Sequence, residues 1–420
     1  MLLLSLAARS LRNRALTSFL TVLSIALSVA LLVGVENVRV GMRDSFSGTI
    51  SGTDLIVGAR GGTTQLLLYS VFGLGSPTQN VSFETYQKWA DHPAVAWTIP
   101  YSLGDSHRGY RVIGTTDAFF EHFRYRQGTE LELAAGEELD GVFDVVLGNE
   151  VATSLGYQVG DDIILAHGIG STTFIEHDNL PFTIVGILER TSTPVDRAVY
   201  TSLEGIEALH VDWQAGAPPM PGMETPAEEV LAMDLTPTQV TSFLLGANSR
   251  VETLRLQREV NTDQEEALTA IIPGVTLAEM WRTVGYAEQG LVVVTVFVLL
   301  VGLLGMLVSL YTSLEARRRE MAIFRAVGAG PGRILSLLVF ESGLLSLLGA
   351  LFGVALVYIL IFLAQAPVED RFGLFIPIRA LGWVELAYLG GVVVAGFLIG
   401  LIPAWKAYRN TLADGLSVRV

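Results

Sequence analysis

All six histidines, His92, His107, His122, His167, His177 and His210, fall between the first and second long apolar runs of the 420-residue chain. His122 follows Glu121 in "FFEHF", and His177 follows Glu176 in "IEHDN". Imidazole beside carboxylate is the ligand chemistry that zinc and similar borderline ions favour. The spacings match no known metal site, so His122 and His177 are only weak metal candidates and the expectation is no metal. Neither HExxH nor GxSxG occurs, and there is no cysteine, so hydrolase chemistry lacks a nucleophile or an activated water. The two lysines, Lys88 in "YQKWA" and Lys406 in "AWKAY", do not follow the glycines that a phosphate-cradling GxxxxGK[ST] loop requires. Enzyme activity is therefore not expected of these residues, and no cofactor is expected to bind them directly. Glu341 stands out because an intramembrane carboxylate is expensive. It is read as paired inside a helix bundle or reaching for an interface, ahead of a proton relay.

The elements that hold these residues follow from composition. Half of the residues are hydrophobic, 16% are charged and the mean hydropathy is +0.48, well below the quarter charged that is usual in soluble chains. Runs of roughly 20 apolar residues cross a bilayer, and four occur, at 15–35, 290–314, 334–366 and 384–404. The first is longer than a usual signal-peptide core and no A-x-A site follows it, so it is read as an uncleaved anchor. The fold class expected is a membrane protein with four transmembrane helices and a large α/β extracytoplasmic domain at 36–289. Residues 1–14 are read as an interfacial helix, 315–333 and 367–383 as short loops, and 405–420 as a tail.

Basic residues set the orientation. Arg9, Arg12 and Arg14 precede the first run, five arginines lie in 315–333, and Lys406, Arg409 and Arg419 follow the fourth run. Both termini and the 315–333 loop are thus expected in the cytoplasm. The 36–289 domain carries 14 basic against 35 acidic residues, near −21, which argues against nucleic acid as a partner. Solubility is the plainer reason for such charge, with recognition of a cationic ligand as the alternative.

Within that domain "TDLIVG" reads as a strand, and Ser82 with Glu84 as the start of a helix through Trp89. Strands are expected at 95–101 and 110–115. "LLLYSVFGLGSP" is too short and too glycine-broken to span and is read as core, the alternative being an exposed partner-binding loop. "VVLGNEVATSLGYQVGDDIIL" and "FTIVGIL" suggest a β-rich insertion at about 116–232 within an α/β unit. Residues 241–245, a helix near 249–260 and 274–279 return to a βα(β) rhythm. Gly349 and Gly353, then Gly396 and Gly400, form GxxxG spacings suited to close helix packing.

"RREMAIFRAVGAGPGRI" reads as a short helix ended by its glycines. Met321, Phe324 and Val327 lie on one side, flanked by Glu320 and Arg325, a shape suited to a partner's apolar groove. A basic connector binding membrane lipid is the other reading. The stretch resembles the "R-E-I-[AG]-x-[LM]-[RK]-A-[LIV]-G-A" signature of MacB/FtsX-type ABC transporter permeases, with Arg319, Glu320, Met321, Phe324, Arg325, Val327 and Gly328 in place. "LRNRALTSFLTVLSIALSVALLVGV", the β-rich "VVLGNEVATSLGYQVGDDIIL" and "PAWKAYRNTLADGL" are similar to other blocks of that family.

The resemblance implies that 315–333 is a coupling helix seated on an ATPase. It further implies a dimer of permeases with two ATPase copies, and hydrolysis that moves the outer domains in the manner called mechanotransmission. ATP and magnesium would sit on a separate ATPase subunit, and the permease in a bacterial inner membrane with its large domain in the periplasm. The client would be a periplasmic molecule or accessory protein, in the efflux or lipoprotein-release branch. Alternatives are an FtsX-like regulator of cell-wall hydrolases and, from another class, a membrane receptor with a periplasmic ligand-binding domain.

Overall fold

The computed structural model describes residues 14–168, 175–176, 179–213, 224–316, 329–372 and 378–410. They divide into two compact units, a helical one (1–41, 284–367 and 376–420) and a mixed α/β one (42–283 and 368–375). Residues 1–13, His177, 317–328 and 411–420, read above from the sequence, lie outside the described residues.

Four helices are long and apolar enough to cross a membrane. They are α1 (Ala15–Gly48), α7 (Pro273–Ala316), α8 (Pro331–Phe372) and α9 (Trp383–Asn410), with α2 to α6 lying between the first two. Each is longer than the apolar run that reveals it, since hydropathy marks only the part matched to hydrocarbon. Residues 274–279, read from sequence as a return to strand, form the first turns of α7. Val275, Leu277 and Glu279 alternate over too few residues to define a strand. The wider spacing of Leu277, Met280 and Trp281 puts one helical face against the domain core.

The α/β unit holds a 12-stranded sheet among the described residues. Its main strands are β1 (Leu55–Ala59), β2 (Val95–His107), β3 (Tyr110–Thr115), β4 (Leu133–Gly136) and β5 (Asp144–Leu147). They continue with β6 (Phe182–Leu188), β7 (Ala198–Ser202), β8 (Ser242–Ala247) and β9 (Leu268–Ile271). The order is β9-β1-β8-β2-β3-β7-β5-β6-β4. Neighbours run antiparallel except β7 with β3 and β5 with β6, which are parallel. Leu55, Ile56 and Val57 are fully buried in β1, which lies between β9 and β8, as expected of an apolar run flanked on both faces. In β6 "FTIVGIL" alternates, with Phe182, Ile184 and Leu188 inward. The β-rich stretch is joined to the rest through β2, which pairs with β8 near one end and β3 near the other. β2 therefore runs past Tyr101, and its register shifts between Leu103 and Ser106, where "LGDS" gives a sequence turn signal.

Helix α2 (Thr63–Val71) buries Leu66, Leu67 and Tyr69, so the first part of "LLLYSVFGLGSP" packs into the core, whereas Leu74, Gly75 and Ser76 are exposed. Helix α3 (Phe83–Ala90) is capped by Ser82, whose hydroxyl accepts from the Thr85 N–H. Helices α4 (Asn149–Leu155) and α5 (Leu203–His210) flank the sheet, and α6 (Arg250–Asn261) starts on Ser249, which accepts from Glu252. The edge strand β4 is short, and Glu130, Glu132, Glu137 and Glu138 around it are all exposed.

Both ends of α3 are tied to the turn before β9. Lys88 Nζ lies 2.8 Å from Asp263 and 2.5 Å from Glu265, while the Ser82 hydroxyl donates to Glu266 at 2.7 Å. Burial pushes both Asp263 and Glu266 up. Lys88 and backbone N–H groups at Asp263, and the Ser82 and Thr85 groups at Glu266, outweigh it and hold both carboxyls below their usual range. Depressed folded-state values stabilise the fold above the unfolded values of about 4 and lose that contribution as pH falls through the lower folded values. Thermal unfolding of the full chain is therefore expected to drop below about pH 4. An Asp263→Asn/Glu266→Gln variant should show a flatter acid limb, and an unchanged limb would count against this clasp.

Candidate functional site

Helix α1 lies at the centre of the spanning helices. Thr21 Oγ1 donates to Ser309 Oγ at 3.0 Å, and Ser28 Oγ to the Val298 carbonyl at 3.3 Å, so α1 and α7 run antiparallel. A β-carbon added at Gly302 would sit 2.6 Å from Ser28 Oγ. Against α8 the direction is parallel. A β-carbon at Gly349 would come 2.6 Å from Ile25 Cβ, and one at Gly353 2.7 Å from the Ala26 carbonyl. Gly396 and Gly400 face the hydroxyls of Ser346 and Ser342, leaving no room for a β-carbon. Those serines are fully buried and donate to Ser342 and Val339 carbonyls of their own helix. Small residues thus let backbones approach where lipid supplies little drive for association.

Glu341 of α8 is buried, at 3% exposure. Gly396→Leu is expected to force α8 and α9 apart and to cost about 1–3 kcal/mol. The midpoint of thermal inactivation in detergent would fall, and Ser346→Gly would restore part of it.

At the other end of these helices lie charges that sequence reading did not single out. Arg39 donates to Glu36 through Nη2 and Nε, at 2.6 and 3.1 Å, and its Nη1 lies 3.7 Å from Glu288 of α7. Arg379 pairs with Glu385 of α9, whose side chain is 2% exposed. Tyr358 of α8 donates to the Arg379 carbonyl at 2.8 Å. Glu36 and Glu288 just outside the first two apolar runs, and Glu385 just inside the fourth, were the available signal.

The histidines do not converge. His122 stacks on Trp97 with ring centres 5.3 Å apart, and its Nε2 lies 3.6 Å from Glu121. His107 is buried, with ring nitrogens 2.7 Å from the Ile164 carbonyl and 3.0 Å from the Tyr157 hydroxyl. Among the described residues no three metal-type ligands come together.

The loop residues Arg319, Glu320, Met321, Phe324, Arg325, Val327 and Gly328 lie outside the described residues. Their flanks are placed: α7 ends at Ala316, and α8 opens on Pro331 with the Arg333 N–H donating to Gly330 at 3.0 Å.

Residues 18–237 match the model of the MacB-like periplasmic core domain, and residues 292–412 that of the FtsX-like permease C-terminal region. The chain belongs to the MacB/FtsX family of ABC transporter permeases. The permease is 22% identical over 416 residues to the macrolide export ATP-binding/permease protein MacB of Wolinella succinogenes, covering 97% of this chain and 59% of that protein. It is 32% identical over 125 residues to an ABC transporter permease of Methanocaldococcus jannaschii, covering 28% of this chain and 30% of that one. Thus the permease spans less than two thirds of these relatives' length. The periplasmic region of MacB from Actinobacillus actinomycetemcomitans aligns with 55% of this chain and 94% of its own, at a TM-score of 0.34 and 11% identity. The core-domain model starts inside α1 and takes in most of the sheet, whereas the permease model holds α8, α9 and the 317–328 loop.

Proposed function

We propose that this permease couples ATP hydrolysis, supplied from outside these 420 residues by a separate ATPase subunit, to movement of its periplasmic domain. Two permease copies and two ATPases make the working unit. Residues 315–333 form the seat of the ATPase on the cytoplasmic side, with both termini on that side. The domain between α1 and α7 acts on a periplasmic client, by efflux or by release of a lipoprotein or lipid. Curated relatives are named for macrolide export and pyoverdine export, which favours export over control of a cell-wall hydrolase.

The observation that carries this reading is the pairing of two family models on one chain. The core-domain model begins inside the first span and runs through most of the domain after it, and the permease model encloses the basic stretch between the second and third spans. The basic residues of that loop and the absence of a GxxxxGK[ST] motif from the sequence support it. The test is to purify the full chain from cells in mild detergent, identify a P-loop ATPase bound to it, and measure turnover of that ATPase with and without the permease. Stimulated hydrolysis is the expected result. A receptor would bring down no ATPase and change no turnover, and that outcome would remove the proposal.

A further inference from the structure

The α/β unit contains a cavity of about 410 Å³, within the range that takes a small ligand. Tyr101 of β2, Tyr200 of β7 and Leu244 of β8 are buried and form its floor, and Phe46, Phe72 and Phe123 its apolar flank. Leu74 and Gly109 are exposed and mark the mouth. This wall holds no aspartate or glutamate, although the domain around it has 35 of them against 14 basic residues. Its charged members are Arg111 and Arg197.

Arg111 is the more telling. It projects from β3 across the glycine turn that follows α2, passing 3.8 Å from where a β-carbon of Gly73 would lie. Gly73 and Gly75 hold left-handed φ values of 63° and 80°, which keeps this turn tight and free of side chains. Nη2 donates to the Gly75 carbonyl at 2.7 Å, whereas Nη1 is buried and has no hydrogen-bond partner. Burial pushes the Arg111 pKa down, as a cation suffers when no counter-ion offsets its desolvation. Arg197, by contrast, has its Nε 3.4 Å from Glu150. Leaving such a donor unmet is costly, and the guanidinium belongs to a cavity wall that offers it no carboxylate. A carboxylate is the group that a guanidinium edge meets best.

We propose that this cavity binds a small amphipathic anion, a carboxylate carried on an aromatic or alicyclic body of roughly ten to twenty heavy atoms. The carboxylate pairs with the Arg111 guanidinium, and the apolar body lies against Phe46, Phe72 and Phe123. Binding needs no nucleotide and no ATPase, so it stands or falls separately from the coupling reading.

The test uses the full chain in lipid nanodiscs, with empty discs as the blank. Equilibrium dialysis measures 1-naphthoate against its neutral counterpart 1-naphthalenemethanol. Wild type is expected to bind naphthoate saturably and the alcohol about tenfold more weakly, the value of one charge-assisted hydrogen bond. Arg111→Gln should lower naphthoate affinity about tenfold, to that of the alcohol, and Arg111→Lys should keep part of the difference. No saturable binding by wild type, equal affinity for the two probes, or unchanged affinity in Arg111→Gln each overturns the site. The wild-type comparison does not depend on any variant folding.

Discussion

Replacing Phe324 with aspartate is expected to abolish stimulation of the ATPase while leaving the spanning helices folded. Met321, Phe324 and Val327 form the apolar side of the loop helix read from the sequence, between Glu320 and Arg325. A carboxylate forced into an apolar groove without a partner costs several kcal/mol. The central aromatic of such a contact is worth about 3 kcal/mol, more than a hundredfold in affinity. Arg325→Glu reverses the charge of the rim and should weaken assembly more at low salt than at high salt. The measurement is co-purification of the ATPase together with its turnover in the presence of each variant. Normal assembly and normal turnover in Phe324→Asp would remove the coupling role from 315–333.

The largest expected loss of stability comes from Arg379→Ala. Arg379 is the partner of the nearly enclosed Glu385, and its carbonyl is held by Tyr358. Truncating one member of such a pair strands the other charge, at a cost of about 3–5 kcal/mol. Replacing both, as Arg379→Met with Glu385→Leu, removes the stranded charge and should return most of the loss. Thermal inactivation of the purified full chain reads both results. A single variant as stable as wild type would mean that Glu385 is satisfied without Arg379.

Much of the architecture was legible because burial leaves a periodic mark. Four apolar runs gave four spanning helices, "FTIVGIL" alternated as β6, and Ser82 and Ser249 stood where helices begin. Expectation failed where a window was too short or a local signal was overridden. Residues 274–279 alternate like a strand, but the decisive contacts of Met280 and Trp281 lie just beyond them. "LGDS" carries a turn's composition, yet β2 continues through it on an irregular register because β3 pairs on both sides. The glycines of the seam were visible as spacings, but their partners Ile25, Ala26, Ser342 and Ser346 were not. The clasp of Arg39 on Glu288 and the hold of Gly75 on Arg111 join residues far apart in the chain. No local pattern encodes such meetings.

The glutamates around β4 give the surplus acidity of the domain a more specific consequence. β4 closes one side of the sheet with its outer hydrogen-bonding groups turned to solvent, an invitation for a strand from another molecule. Four carboxylates within nine residues make that approach a meeting of like charges. Crowded copies in the cell envelope are thereby kept from stitching their sheets together into fibrils, and neutralising Glu132 and Glu137 would remove that guard.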